Sequence, residues 1–466
     1  MLSTLKSRYL GDRSFLRMVL RIAVPVMVQN GITNFVSLLD NIMVGQVGTE
    51  PMSGVAIVNQ LIFVFNLCIF GGLAGAGIFT AQYYGQGDQE GIRQTFRYKL
   101  WIGTLLCAGA AAVFLLAGGP LISLYLNESA EGGDLMSTLK YGESYLRIML
   151  AGLPAFMLAQ VYSSSLRECG ETLVPMRAGI IAVLVNLIGN WLLIYGHWGF
   201  PQLGVDGAAI ATVLSRYVEL LIVVTWTHAH KERNPWVVGL YRTLRIPLDR
   251  AVEFFRKGFP LLINEALWSS GIATLNQCYS MRGLSVVTAQ NISSTISNLF
   301  SVVFISMGTA IAIILGQRLG ANRLDEARDH ARKLIVMSIL MSVGTGILLG
   351  CAAPFFPRVY QTEESIRALA TRLMIVNALF MPLNAFNNAC YFTLRSGGKT
   401  WITFLFDSVC LWALCIPVAF VLSRYTDMYI VWMLVCVNCA ELVKCFFGLH
   451  LVRKGVWVRN IVGARD

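Results

Sequence analysis

Gln82-Tyr83-Tyr84-Gly85 is answered 235 positions later by Gln317-Arg318-Leu319-Gly320, and the same shift lays Pro25 on Pro260, Asn41 on Asn276, Gly48 on Gly283, Arg93 on Arg328 and Arg97 on Arg332. Farther along, a shift of 228 lays Pro154 on Pro382, Arg167 on Arg395, Gly170 on Gly398, Thr172 on Thr400 and Arg216 on Lys444. One loop, seven residues longer in the first copy, accounts for the change. The matches are prolines, glycines and charges at segment ends, where drifting hydrophobic sequence would not coincide. The chain is therefore written as two equivalent halves. In a polytopic membrane protein, such halves rock about a central site and open it to each side in turn.

Composition agrees with a membrane chain. Of 466 residues, 56% are hydrophobic and 14% charged, and the mean hydropathy of +0.61 excludes an ordinary soluble protein. Apolar runs long enough for a hydrocarbon core of about 30 Å lie near 18–45, 54–82, 99–126, 141–165, 174–196 and 204–227. Six more lie near 258–280, 287–316, 334–356, 368–394, 401–423 and 427–452. The expected fold is all-α and polytopic, about twelve transmembrane helices in two six-helix lobes. Residues 1–230 form one lobe, 231–257 a polar linker containing Asn234-Pro235, and 258–466 the other. Six spans per half is an even number, so both halves enter from one side and the repeat is parallel. The charged first residues and the long first span do not read as a signal peptide.

The net charge of +11 is distributed by topology. Lys6, Arg8, Arg13 and Arg17 precede the first span, Arg93, Arg97 and Lys99 follow the second, and Arg167 and Arg177 follow the fourth. The connection between the halves holds seven basic residues from Lys231 to Lys257, whereas the loops after spans one and five hold none. That alternation places both termini in the cytoplasm of a cell-membrane protein, and removes the case for nucleic acid. Six of the eleven cysteines (Cys68, Cys107, Cys410, Cys415, Cys436 and Cys445) lie in apolar runs and read as small hydrophobes.

An ionisable group inside the bilayer costs several kcal/mol, which makes it a functional candidate. Asp40 stands in Asn34-Phe35-Val36-Ser37-Leu38-Leu39-Asp40-Asn41, among polar neighbours. Asn186 and Asn190 are four apart, so their amides project from one helix face. Facing Asp40, they would make an all-oxygen nest for a sodium ion or a proton; no other metal site is expected, and the scattered histidines read mostly as loop residues. Glu265 lies about eight residues into the seventh span, opposite the neutral Asn30 in the repeat. Asp407 ranks lower, because Lys399 is placed to approach it. Arg216 with Glu219, and Glu441 with Lys444, are three apart on their helices, can neutralise each other and read as structural pairs. Gly71 to Gly77 is glycine-rich but follows no strand, and Gly398-Lys399-Thr400 lacks the earlier glycine of a P-loop, so no cofactor is expected.

On these residues the chain resembles the MATE family, multidrug and toxic compound extrusion transporters, along essentially its whole length. The stretches that carry it are Asp40-Asn41-Ile42-Met43-Val44-Gly45, the two Gln-x-x-Gly copies, Leu166-Arg167-x-x-Gly170 and Leu394-Arg395-x-Gly397-Gly398. The resemblance implies two six-helix lobes around a central cavity, and export driven by sodium or protons. It carries Asp40, Asn186 and Asn190 over as an ion site of the first lobe, and Glu265 as the seventh-helix carboxylate of NorM-like members. Eleven residues before Arg395 those members have an aspartate, and here Asn384 stands. A second-lobe sodium site on two carboxylates is put in doubt.

The expectation is a monomeric antiporter, not an enzyme, for amphipathic and often cationic drug-like substrates. Phe63, Phe65, Trp268, Phe300, Phe304 and Tyr391 are the candidate aromatic lining. The alternative is a flippase for a lipid-linked precursor.

Overall fold

The computed structural model describes residues 11–126, 135–360 and 362–463. Lys6 and Arg8 fall outside the described residues, as do the side chains of Ser37 and Asn41. Thirteen helices carry the apolar runs: α1 Arg13–Gly45, α2 Thr49–Gln86, α3 Gln89–Leu126, α4 Leu135–Leu150, α5 Leu153–Glu168, α6 Leu173–Tyr195 and α7 Val205–Ala229. The order continues with α8 Leu248–Ser280, α9 Leu284–Gly320, α10 Leu324–Ala352, α11 Glu364–Ser396, α12 Thr400–Tyr425 and α13 Ile430–Lys454. Ten are long and apolar enough to cross a membrane, and the bent pair α4–α5 raises the number to eleven. The twelfth long helix is α8, whose Asn264, Glu265, Asn276 and Gln277 dilute its apolar content.

The fourth span, in which an internal proline permits a kink, breaks by 47° between Leu150 and Leu153, because Pro154 in the following turn supplies no amide to the residues before it. Two other elements depart from the sequence reading. Helix α8 begins ten residues before the expected 258, at Leu248, and takes in Arg250, Glu253 and Arg256, which had read as linker. An Arg250–Glu253 pair at 4.0 Å, three apart, suits that extra length. Helix α12 winds wider over Leu405–Val409 and Leu411–Cys415, as two π-helical turns.

Contacts sort the chain into two compact units, residues 28–80 with 89–258, and residues 1–27 with 81–88 and 259–466. In the first, Phe96 packs on Trp236 and Tyr162 at 5.3 and 4.9 Å between ring centroids. The 231–247 connection is bound to α3. Arg93 donates to the Trp236 carbonyl at 3.2 Å, Arg97 to Leu240 at 3.1 Å, and Trp101 to Leu244 at 3.1 Å. A Cβ on Gly75 would strike the Gly258 backbone, and one on Gly77 the Glu168 carboxylate, so the glycine run serves close helix packing.

In the second unit, Phe15, Val19 and Ala23 of α1 pack with Ile311, Ile314, Leu334, Leu394 and Trp457. The two opening motifs meet here. A Cβ on Gly85 would strike the Gln317 carbonyl, and one on Gly320 would strike that of Gln82. Gln82 itself donates to the Ser396 carbonyl at 3.0 Å and accepts from the Ile461 amide at 2.9 Å. Each glycine thus admits the glutamine backbone of the other copy.

Candidate functional site

Asp40 on α1, Asn186 and Asn190 on α6, and Thr212 on α7 come together within the unit of residues 28–80 and 89–258. The Asn190 amide donates to Asp40 Oδ1 at 2.7 Å. Asn186 and Asn190 are both buried, on consecutive turns of one helix face.

The Asn186 amide is satisfied in one orientation; turned the other way, its oxygen would lie against both Asp40 oxygens, acceptor on acceptor. With its nitrogen toward the site, it donates to both Asp40 oxygens, at 2.9 and 3.0 Å, and accepts from Thr212 at 3.1 Å. Thr212 supplies the proton of that last bond, and an ionised carboxylate, which only accepts, is met by the nitrogens of Asn186 and Asn190. Asn190 Oδ1 is buried with no partner among the described residues. A buried acceptor left unmatched costs about 1–3 kcal/mol, and this one lies on the amide already bonded to Asp40.

Two further residues bound the site. Tyr145 of α4 is buried, its hydroxyl 3.5 Å from Asn59 Oδ1. Arg216, one turn beyond Thr212 on α7, pairs with Glu219 at 3.3 Å and is within electrostatic reach of Asp40. Thr212 and Tyr145 carry no charge and sit in apolar runs, so nothing in the sequence singled them out; the four-residue step from Thr212 to Arg216 was the available signal. Lys99 was read as topological, yet its ammonium is fully buried against Glu168 and accepted by Ser164 and Ser165, each at 3.2 Å.

The other unit holds a separate polar cluster. Asp407, on the first π turn of α12, accepts from Asn264 Nδ2 at 3.1 Å and from Lys444 at 3.4 Å. Lys444, not Lys399, is therefore its cation, and Glu441 lies 3.9 Å from the same ammonium. Glu265 is within electrostatic reach of Arg395 and Asp407. Asn384 lies on α11, and among the described residues no hydrogen bond joins it to Glu265. The candidate aromatic lining divides: Phe65 packs on Phe156 at 6.0 Å in the first unit, while Phe300 and Phe304 pack against Leu349 and Met374 in the second. His228, His330 and His450 lie in helices rather than loops.

The MatE family model matches residues 25–192 and 260–421. The chain is similar to the probable multidrug resistance protein NorM of Thermotoga maritima, 24% identical over 451 residues that cover 96% of this chain and 94% of that protein. It is also similar to the multidrug resistance protein PmpM of Pseudomonas aeruginosa, 25% identical over 432 residues covering 91% and 87%. Among solved structures, an outward-facing multidrug resistance MATE family transporter of the MOP superfamily superposes with a TM-score of 0.81 at 19% identity, over 94% of this chain and 96% of that one. A MOP superfamily transporter from Pyrococcus furiosus, described as having a binding pocket of reverse polarity, gives 0.80 at 18% identity, over 96% and 97%.

Proposed function

Because the chain belongs to the MatE family, we propose that it is a secondary antiporter exporting amphipathic, often cationic, drug-like compounds in exchange for sodium ions or protons, with Asp40, Asn186 and Asn190 as the ion site. It is a multi-pass membrane transporter rather than an enzyme. In this reading it works as a monomer by alternating access of two six-helix lobes, in a bacterial cell membrane with both termini in the cytoplasm. Relatives named for multidrug resistance support the substrate class.

The observation that carries the ion site is the unmatched Asn190 oxygen beside Asp40. A proton or a cation would be met by the Asp40 carboxylate and the Asn190 oxygen, and the change in charge on its binding is what a conformational equilibrium can respond to. Glu265, with Asn384 in the same unit, is the proposed second contact, for substrate or a proton.

One coupled ion suffices energetically. A pH difference of one unit supplies about 1.4 kcal/mol, and each charge crossing 100 mV about 2.3 kcal/mol more. Export against a tenfold gradient costs about 1.4 kcal/mol. The test is ion release from the purified chain on addition of ethidium as the organic cation, followed with a pH indicator and with radioactive sodium. Wild type is expected to release one of the two ions, and Asp40→Asn to release neither while still binding ethidium. Equal release by both proteins would overturn the assignment.

A further inference from the structure

The unit containing residues 259–466 has a cavity of about 400 Å³ at the helix ends, lined by Asp12, Phe15, Met18, Arg318, His330 and Lys333. The two copies of the repeat differ in and beside it. At the 235-residue offset, Lys333 answers Tyr98, His330 answers Thr95, Val19 answers Phe254 and Ile314 answers Phe79. In the other unit the counterparts form a ring cluster, with Phe254 on Phe79 at 4.8 Å and on Tyr98 at 5.5 Å. Here smaller or cationic side chains stand in place of the three rings.

What lines the cavity is chemically specific. The Arg318 guanidinium pairs with Glu326 at 3.3 Å through one nitrogen, and its other terminal nitrogen meets, among the described residues, only the weakly accepting Met18 sulfur, at 3.8 Å. Lys333 pairs with Asp329 and lies 5.6 Å from the centre of the Phe15 ring. The His330 ring packs 4.9 Å from that of Phe15, and its Nδ1 is buried with no partner among the described residues. Asp12 faces these cations from the start of α1, accepting from the Phe15 amide at 2.8 Å and from Ser14 at 2.9 Å. Those two donors hold its carboxyl below the usual carboxylate range, so it is ionised at neutral pH. The chain thus sets donors for an anion opposite a fixed carboxylate, with a ring and a thioether between them. The position is right for a lipid headgroup, since Arg318 is in the last turn of α9 and Lys333 is nine residues into α10. Arg13, Arg17 and Arg21 continue the basic character along the exposed side of α1.

We propose that this cavity binds the headgroup of an aminophospholipid, its phosphate taken by Arg318, Lys333 and His330 and its ammonium by Asp12. The phosphate sits on guanidinium and ammonium donors, where charge-assisted bonds are strongest, and the glycerol end lies over Phe15 and Met18. A free phosphate would satisfy the cations but would face the Asp12 carboxylate unshielded.

The experiment uses the full chain, purified in detergent and stripped of lipid, then exposed to dioleoyl phosphatidylethanolamine, phosphatidylglycerol or phosphatidylcholine and weighed by native mass spectrometry. Phosphatidylethanolamine is expected to be retained about tenfold better than the other two. Lys333→Gln should weaken that retention by about the same factor. Asp12→Asn, which preserves a helix-capping side chain, should remove the preference over phosphatidylglycerol while leaving phosphatidylglycerol itself unaffected or bound more tightly. Inorganic phosphate in the millimolar range should not displace the lipid. Equal retention of the three lipids, or indifference to both substitutions, overturns the proposal. Displacement by inorganic phosphate overturns it in favour of a soluble anion. Should Lys333→Gln fail to fold, the exposed Asp12→Asn carries the test alone.

Discussion

At Asp40 the surrounding side chains matter more than the carboxylate alone. A buried aspartate is tolerable only with donors or a cation beside it, and Asn190 and Asn186 supply the donors, while Thr212 holds the Asn186 amide in place by donating to its oxygen. Thr212→Val keeps the shape and removes that proton. The expected result is ion affinity lowered about tenfold, from the loss of the hydrogen bond that holds the Asn186 amide toward Asp40, with a melting temperature close to wild type; unchanged affinity in an ion titration would show that Thr212 takes no part. Asp40, Asn186 and Asn190 were legible in the sequence because polar groups inside apolar runs stand out. Thr212 and Tyr145 were not, since neither hydroxyl departs from the composition of an ordinary span. Asp407 shows the opposite failure: its charge was visible, but nearness in sequence favoured Lys399, and only the packing of α12 against α13 selects Lys444.

Elements were legible to the extent that hydropathy alone decides them. Apolar runs gave the number and order of the long helices. Hydropathy could not place the start of α8, because a helix continuing past the apolar run is marked by paired charges such as Arg250 and Glu253 rather than by greasy residues. The internal prolines mark where a helix can bend, and the chain does bend before Pro154, whereas the equivalent Pro382 leaves Glu364–Ser396 unbroken. At the contact of α2 with α9, Gly320→Ala would drive a methyl into the Gln82 carbonyl. Backbone cannot yield as a flexible side chain does, so a loss of about 3 kcal/mol or more is expected, read as a lowered melting temperature. Wild-type stability would show that the two helices separate freely. The start of α1 gives a pH test. Because Asp12 has a lowered pKa in the folded chain, its stabilising effect is complete above the unfolded value and fades as pH falls through the folded one. Asp12→Ala should therefore melt earlier than wild type at pH 7, with the difference closing in acid; a constant difference would contradict the capping role.

For the whole molecule, the duplication is the organising fact, and the two copies have diverged where function would require it. One copy holds a carboxylate with two amides, and the other holds Asp407 already neutralised by Lys444 and assisted by Asn264. A carboxylate with a tethered cation has less need of a mobile one, which supports the proposal that ions exchange at Asp40. The most direct measurement is efflux of ethidium from proteoliposomes under an imposed sodium gradient and, separately, an imposed pH gradient, for wild type, Asp40→Asn and Asp407→Asn. The account predicts that one gradient drives export by wild type, that Asp40→Asn abolishes the response to it, and that Asp407→Asn, where the chain folds, retains it. Gradient-driven export surviving in Asp40→Asn at the wild-type rate would contradict it.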